Sequence, residues 1–178
     1  MHKIIIKIFL IILSSLPVSA SEVKGGYPKN LHVLDKPVSY KNITLMDEAD
    51  KQIGIESFNK KLYIIYFFAS WCSDCIDEIK QLQSFQQSMD GRLMVIPVSE
   101  DYKSKKEVVN ELVDRFKLSE KFYFDEKQGL FKTMNIKTIP TSIILTNDQE
   151  EIARVTGRGN WEDQYLRSLL IKYLDKLN

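Results

Sequence analysis

The chain has 178 residues, with 25 Lys and Arg against 24 Asp and Glu, for a formal net charge of +1 at pH 7. That balance, with no glycine loop able to cradle a phosphate, argues against a nucleic-acid partner. It carries only 2 histidines, of which His32 alone lies beyond the first twenty residues, and this removes histidine triads and His-rich metal sites.

The N-terminus places Lys3 and Lys7 around a short apolar stretch that continues from Ile8 to Leu13, then small residues up to Ala20. This reads as a secretory signal peptide over residues 1–20, with an uncleaved N-terminal anchor as the alternative. The apolar stretch is well short of the roughly 20 residues a spanning helix needs. No cysteine lies near the cut, which excludes a lipoprotein. Cleavage after Ala20 would leave 158 residues, enough for one domain, and remove two lysines. Residues 21–36 contain Gly25, Gly26 and Pro28 and few apolar anchors, and read as a lead-in or tether to a domain at 37–178.

Within that domain, the runs Ile43 to Leu45 and Gln52 to Ile55 flank a polar stretch and predict a small hairpin. Leu62 to Phe68 is nearly continuous in apolar residues, as for a strand covered on both faces. Ile76, Ile79, Leu82, Phe85 and Met89 then recur at helical spacing, and Gly91 stops that helix. Leu93 to Val98 predicts the next strand. Ser104 and Glu107 have the spacing of a capping box ahead of a helix bearing Val108, Val109, Leu112, Val113 and Phe116 on one face. A short strand at Phe122 to Phe124 and a short helix at Gly129 to Met134 follow. Thr141 to Thr146 and Glu151 to Thr156 are close enough to form an antiparallel hairpin. Asn160 is the expected cap of a last helix carrying Leu166, Leu170 and Leu174.

The 2 cysteines of the chain, Cys72 and Cys75, stand two residues apart where the first core strand gives way to a helix. A helix N-terminus supplies N–H groups and partial positive charge to a thiolate, so the pair has the placement of a redox dithiol. A bridge closing so small a loop removes little unfolded-state entropy, and a purely structural disulfide there has little use.

The element order, Phe68 to Cys75 with its Trp71, and the Thr138 to Thr141 segment with Pro140 together resemble the thioredoxin fold. This is an α/β architecture with a central mixed sheet flanked by helices, here with an N-terminal β-hairpin extension and a βα insertion. Within that fold the chain resembles the periplasmic TlpA/ResA-like thiol:disulfide oxidoreductases. The resemblance implies that Cys72 attacks, that Cys75 resolves, and that the two form a redox-active disulfide with no other cofactor. It implies that Pro140 is a cis proline setting the Ile139 backbone against a client, and that Trp71 shields one side of the site. Thioredoxins bury an acid five residues before that tryptophan; here the position is Tyr66. Glu100, at the end of the second core strand, is matched with the active-site glutamate of the ResA-like group as an acceptor for the Cys75 proton, the alternative being a solvated loop acid. Asp74, between the cysteines, opposes a thiolate at Cys72 and so favours the disulfide. With Asp77 and Glu78 it either forms an acidic cluster that selects basic partners or only complements the helix dipole in solvent.

The implied partners are protein thiols and disulfides, namely apocytochrome c or copper-site assembly proteins, and a membrane or periplasmic electron donor. A monomer secreted to the periplasm, or anchored facing it, is expected. The alternatives are a Cu(I) carrier using the two thiolates and a peroxiredoxin-like peroxidase. Zinc needs more ligands than the chain offers, and Ile76 after Cys75 excludes covalent haem.

Overall fold

A computed structural model of the chain describes residues 28–102, 106–116, 121–125 and 127–177. The expected signal peptide and Ser104 of the expected capping box lie outside them. The elements are β1 (Leu31–Ser39), β2 (Thr44–Met46), β3 (Gln52–Gly54), a 3-10 turn (Ile55–Phe58), β4 (Leu62–Phe68), α1 (Ser73–Gln87), β5 (Leu93–Ser99), α2 (Lys106–Phe116), β6 (Tyr123–Phe124), α3 (Gly129–Thr133), β7 (Thr141–Thr146), β8 (Glu150–Thr156) and α4 (Gln164–Lys176). The strands form one mixed sheet in the order β1-β8-β7-β4-β5-β6-β2-β3.

β4 is buried along its whole length because both of its faces are covered. Leu62, Ile64, Tyr66 and Phe68 join the apolar faces of α1 and α4, including Ile79, Leu82, Leu166 and Leu170. Tyr63, Ile65 and Phe67 join a second cluster with Leu45, Ile55, Met134 and Ile136. Each of these side chains contributes about 1.5–3 kcal/mol by leaving water. β4 pairs parallel with β5, from Leu62 against Leu93 to Phe68 against Ser99. On its other side it runs antiparallel to β7, with Phe67 opposite Thr141. That register brings Pro140, just before β7, to the same end of the sheet at which the chain leaves β4 for Cys72.

Three expectations shift. Leu31 to Lys36, assigned to the lead-in, form the first part of β1, which pairs antiparallel with β8. Most β1 side chains are not buried, so the strand is held by backbone pairing that hydropathy does not register. The last helix is capped by Asp163, whose Oδ1 accepts from the Leu166 N–H at 2.9 Å, whereas Asn160 accepts from the Glu162 N–H one turn earlier. After α1, Asp90 and Gly91 both take positive φ, 51° and 71°, and lead the chain into β5 several residues beyond the helix end.

β1 is also tied to the sheet by a buried charge. The fully buried Glu151 carboxylate accepts from Arg154 Nε at 2.6 Å and Nη2 at 2.8 Å and from the Tyr40 hydroxyl at 2.7 Å. Burial and that hydrogen bond push the Tyr40 phenol up to about 12, so it remains a donor. Removing one member of such a group leaves the other charge without its partner. Glu151→Ala is therefore expected to lower unfolding stability by about 3 kcal/mol in a denaturant titration, and Glu151→Gln by less.

Candidate active site

α1 starts at Ser73 with Cys72 as its N-cap in extended conformation, φ −91° and ψ 98°, and no side chain caps its first turn. The Cys72 N–H donates to the Ala69 carbonyl at 3.0 Å, and the Cys75 N–H donates back to the Cys72 carbonyl at 3.1 Å. Cys72 thus stands at a helix N-terminus that has no side-chain cap, a position that favours negative charge. Cys72 and Cys75 are joined by a disulfide, with Cα atoms 5.3 Å apart. Cys72 is half-buried and Cys75 fully buried. Only the first is placed to meet a large partner.

Pro140 follows a cis peptide bond from Ile139. It is buried, and its carbonyl accepts from the Gly157 N–H at 2.8 Å, while Thr141 Oγ1 donates to the Thr138 carbonyl. Ile139 and Trp71 line one cavity of about 620 Å³, together with Glu100, Tyr102, Lys127 and Lys137. Trp71 and Tyr102 are 76% and 72% exposed and stand as two aromatic walls.

Glu100 continues the β4–β5 ladder, its N–H donating to the Phe68 carbonyl at 2.8 Å. Both of its carboxyl oxygens are buried without a hydrogen-bond partner. Burial, with Asp125 and Asp101 adding repulsion, pushes this acid up to about 8. It is not a solvated loop acid.

Two acids escaped the sequence reading. Glu78, placed there in a solvated or partner-selecting cluster, is fully buried. Its Oε1 accepts from Trp161 Nε1 at 2.6 Å and from the Gly159 N–H at 2.8 Å. The Tyr66 hydroxyl lies 3.3 Å from its Oε2 and 2.9 Å from the Cys75 carbonyl. Burial raises the Glu78 carboxyl above its ordinary range, against the bonds from Trp161, Gly159 and Tyr66. Tyr66 thus fills the strand position, and its hydroxyl reaches a buried carboxyl that comes from α1, one turn after Cys75. A Cβ on Gly159 would come within 2.9 Å of Trp161 Nε1 and 3.0 Å of Glu78 Oε1, so this close approach requires glycine. The available signal was spacing: Glu78 falls on the same helical face as Cys75, Ile79 and Leu82.

The second is Asp101, buried, whose carboxylate accepts from the Ser70 N–H at 2.7 Å, Ser70 Oγ at 2.8 Å and Ser99 Oγ at 2.7 Å. It ties the loop bearing Trp71 and Cys72 to the loop bearing Glu100 and Tyr102. Asp74 is exposed, as expected for a first-turn acid, and lies 3.8 Å from Arg158 Nη1. Asp77 is exposed as well. Among the described residues there is no group of three or more His, Cys, Asp or Glu that could hold a metal ion.

Glu100 titrates near 4.5 when unfolded and near 8 when folded. Between these values the folded state binds the extra proton, so this group makes stability fall as pH rises. Glu100→Gln should therefore match the parent in Tm below about pH 4 and exceed it at about pH 9, as read by thermal unfolding across pH.

A family profile described as thioredoxin-like matches residues 59–151. The chain is 33% identical over 93 residues to the sporulation thiol-disulfide oxidoreductase A of Bacillus subtilis, covering 51% of this chain and 56% of that protein. It is 19% identical over 170 residues to the thiol-disulfide oxidoreductase ResA of Bacillus cereus, covering 94% of this chain and 97% of ResA. The crystal structure of a secreted thiol-disulfide isomerase from Corynebacterium glutamicum superposes with a TM-score of 0.71 at 16% identity, covering 85% of this chain and 95% of that one, a likeness of fold. With the sheet order, the cysteine pair and the cis proline in place, these matches show that the chain belongs to the thioredoxin-like family.

Proposed function

We propose that this chain, a thiol-disulfide oxidoreductase by its family and its Cys72–Cys75 pair, works outside the cytoplasm as a reductase of protein disulfides. The observation that carries the reading is the asymmetry of the pair. Cys72 is accessible at an uncapped helix N-terminus, and Cys75 is sealed one turn inside.

In the reduced enzyme the Cys72 thiolate attacks one sulfur of a client disulfide. The client S–S bond breaks, its other sulfur leaves as a thiolate and takes a proton from solvent, and a mixed disulfide remains. Cys75 then gives its proton to Glu78, and its thiolate attacks the Cys72 sulfur. The mixed bond breaks and the client's second thiolate leaves. The client has gained two electrons and the enzyme holds the Cys72–Cys75 disulfide, which an external dithiol donor must reduce. The acid expected to serve Cys75 was Glu100; its place in the cavity with Trp71 and Ile139 supports a different role, contact with the client. At neutral pH its carboxyl is largely protonated and can donate to a client carbonyl.

Asp74 in the first turn and the acid Glu78 behind the pair both disfavour a thiolate, and a pair whose thiolate is little stabilised holds its disulfide more firmly. That is the direction of a reductant. The resemblance to the TlpA/ResA-like group supports apocytochrome c segments or copper-site assembly proteins as clients. The basic and apolar N-terminus supports export. Among the described residues no helix is long and apolar enough to cross a membrane.

Cys75→Ser should accumulate mixed disulfides through Cys72, visible as client bands on non-reducing gels that vanish with reductant. No trapped client and co-purifying copper would instead support a carrier. Glu78→Gln should slow decay of the mixed disulfide by about a hundredfold in stopped-flow measurements, while alkylation of Cys72 is little changed.

A further inference from the structure

The Tyr66 hydroxyl has one hydrogen and two acceptors in reach, the Cys75 carbonyl at 2.9 Å and Glu78 Oε2 at 3.3 Å. Glu78 Oε1 already faces two N–H donors, from Gly159 and Trp161. A proton on this carboxyl therefore belongs on Oε2, pointing at the Tyr66 oxygen. When Glu78 is protonated, the chain runs unbroken: Oε2–H donates to the phenol oxygen, and the phenol donates to the Cys75 carbonyl. When Glu78 is ionised, the one phenol hydrogen has to choose between the carboxylate and the carbonyl. All three residues are fully buried, so no water replaces the bond that is lost.

We propose that Tyr66 is a positioning residue that couples the proton on Glu78 to the seating of Cys75, pinning the Cys75 carbonyl while Glu78 is neutral and releasing it when Glu78 ionises. This rests on the reading of Glu78 as the acceptor of the Cys75 proton. The transfer that frees Cys75 to attack then closes the chain and holds the backbone of Cys75 as its thiolate forms. The charged and titratable groups that bear on Glu78 are Tyr66 from β4 and Arg158 from the segment after β8, with Arg158 and Asp74 also bearing on Tyr66. Burial keeps the phenol itself from ionising, so Tyr66 acts as a donor and acceptor in turn and never as a base.

The test is the titration of the Glu78 side chain in the oxidised full chain, read from the NMR shift of its ¹³C-labelled carboxyl carbon and assigned by its loss in Glu78→Gln. Tyr66→Phe deletes both a donor to the ionised form and an acceptor for the neutral form; the bond to the charge is the stronger, so the midpoint should rise by about one pH unit. A fluorotyrosine placed at position 66 alone keeps the hydroxyl, makes it a stronger donor and should lower the midpoint. The fluorinated protein also decides the matter if Tyr66→Phe does not fold. In the kinetics of mixed-disulfide decay, Tyr66→Phe should move the pH profile in the same direction, and should change nothing further in a Glu78→Gln background. An unmoved midpoint in both variants, or a Tyr66→Phe effect that persists without Glu78, overturns the proposal. The titration needs no client, so an inactive wild-type protein would count against the proposed reductase and not against the coupling.

Discussion

Everything at the catalytic end of the molecule hangs on β4, a strand with no exposed face. Its alternate side chains are committed to two separate apolar clusters, so a register slip of one residue would exchange them and bury each against the wrong partners. With β4 fixed between β5 and β7, its C-terminal end is fixed as well. The turn from Ala69 to Cys72, the start of α1, the Glu100 amide on the Phe68 carbonyl and the segment holding Pro140 all follow from that end point. The cysteines owe their unequal exposure to this geometry: the helix must dive over the sheet immediately, carrying Cys75 inside within one turn.

Three carboxyl groups, from Glu78, Glu100 and Asp101, surround the same strand end, and the protein treats each differently. Asp101 is given three donors and acts as a clamp between loops. Glu78 is given two firm donors on one oxygen and a shared phenol on the other. Glu100 is given none. A buried carboxylate without donors is costly, so the proton is retained; in one with partial satisfaction, burial raises the pKa while the donors act against that rise. The gradation from fully to partly to not satisfied gives three acids at one strand end three different surroundings.

Much of the fold was legible because it is written in apolar spacing. The unbroken run of β4, the helical period of α1 and α4 and the β7–β8 hairpin each declare themselves in the residues that must leave water. β1 did not, since it is held through backbone bonds at the edge of β8 and buries little. The cap at Asp163 was missed for a related reason: Asn160 is as good a capping type, and only the path of the chain decides which oxygen meets a free N–H.

At the site, the two cysteines, their place at a strand-to-helix junction and the proline ahead of the hairpin were fixed by sequence order, because covalent neighbours and local turn chemistry do not depend on distant packing. The absence of an acid at Tyr66 was equally plain. What replaced it was not, since a glutamate on a helix of mixed polarity is ordinarily solvated. Its burial here depends on Trp161 and Gly159, more than eighty positions along the chain, arriving to satisfy it. The same holds for Asp101 on Ser70 and for Glu100 in the cavity beside Ile139. Sequence alone determined which atoms carry the redox chemistry. The tertiary structure decided which acids are buried around them, because desolvation and hydrogen-bond satisfaction are set by neighbours in space and not by neighbours along the chain.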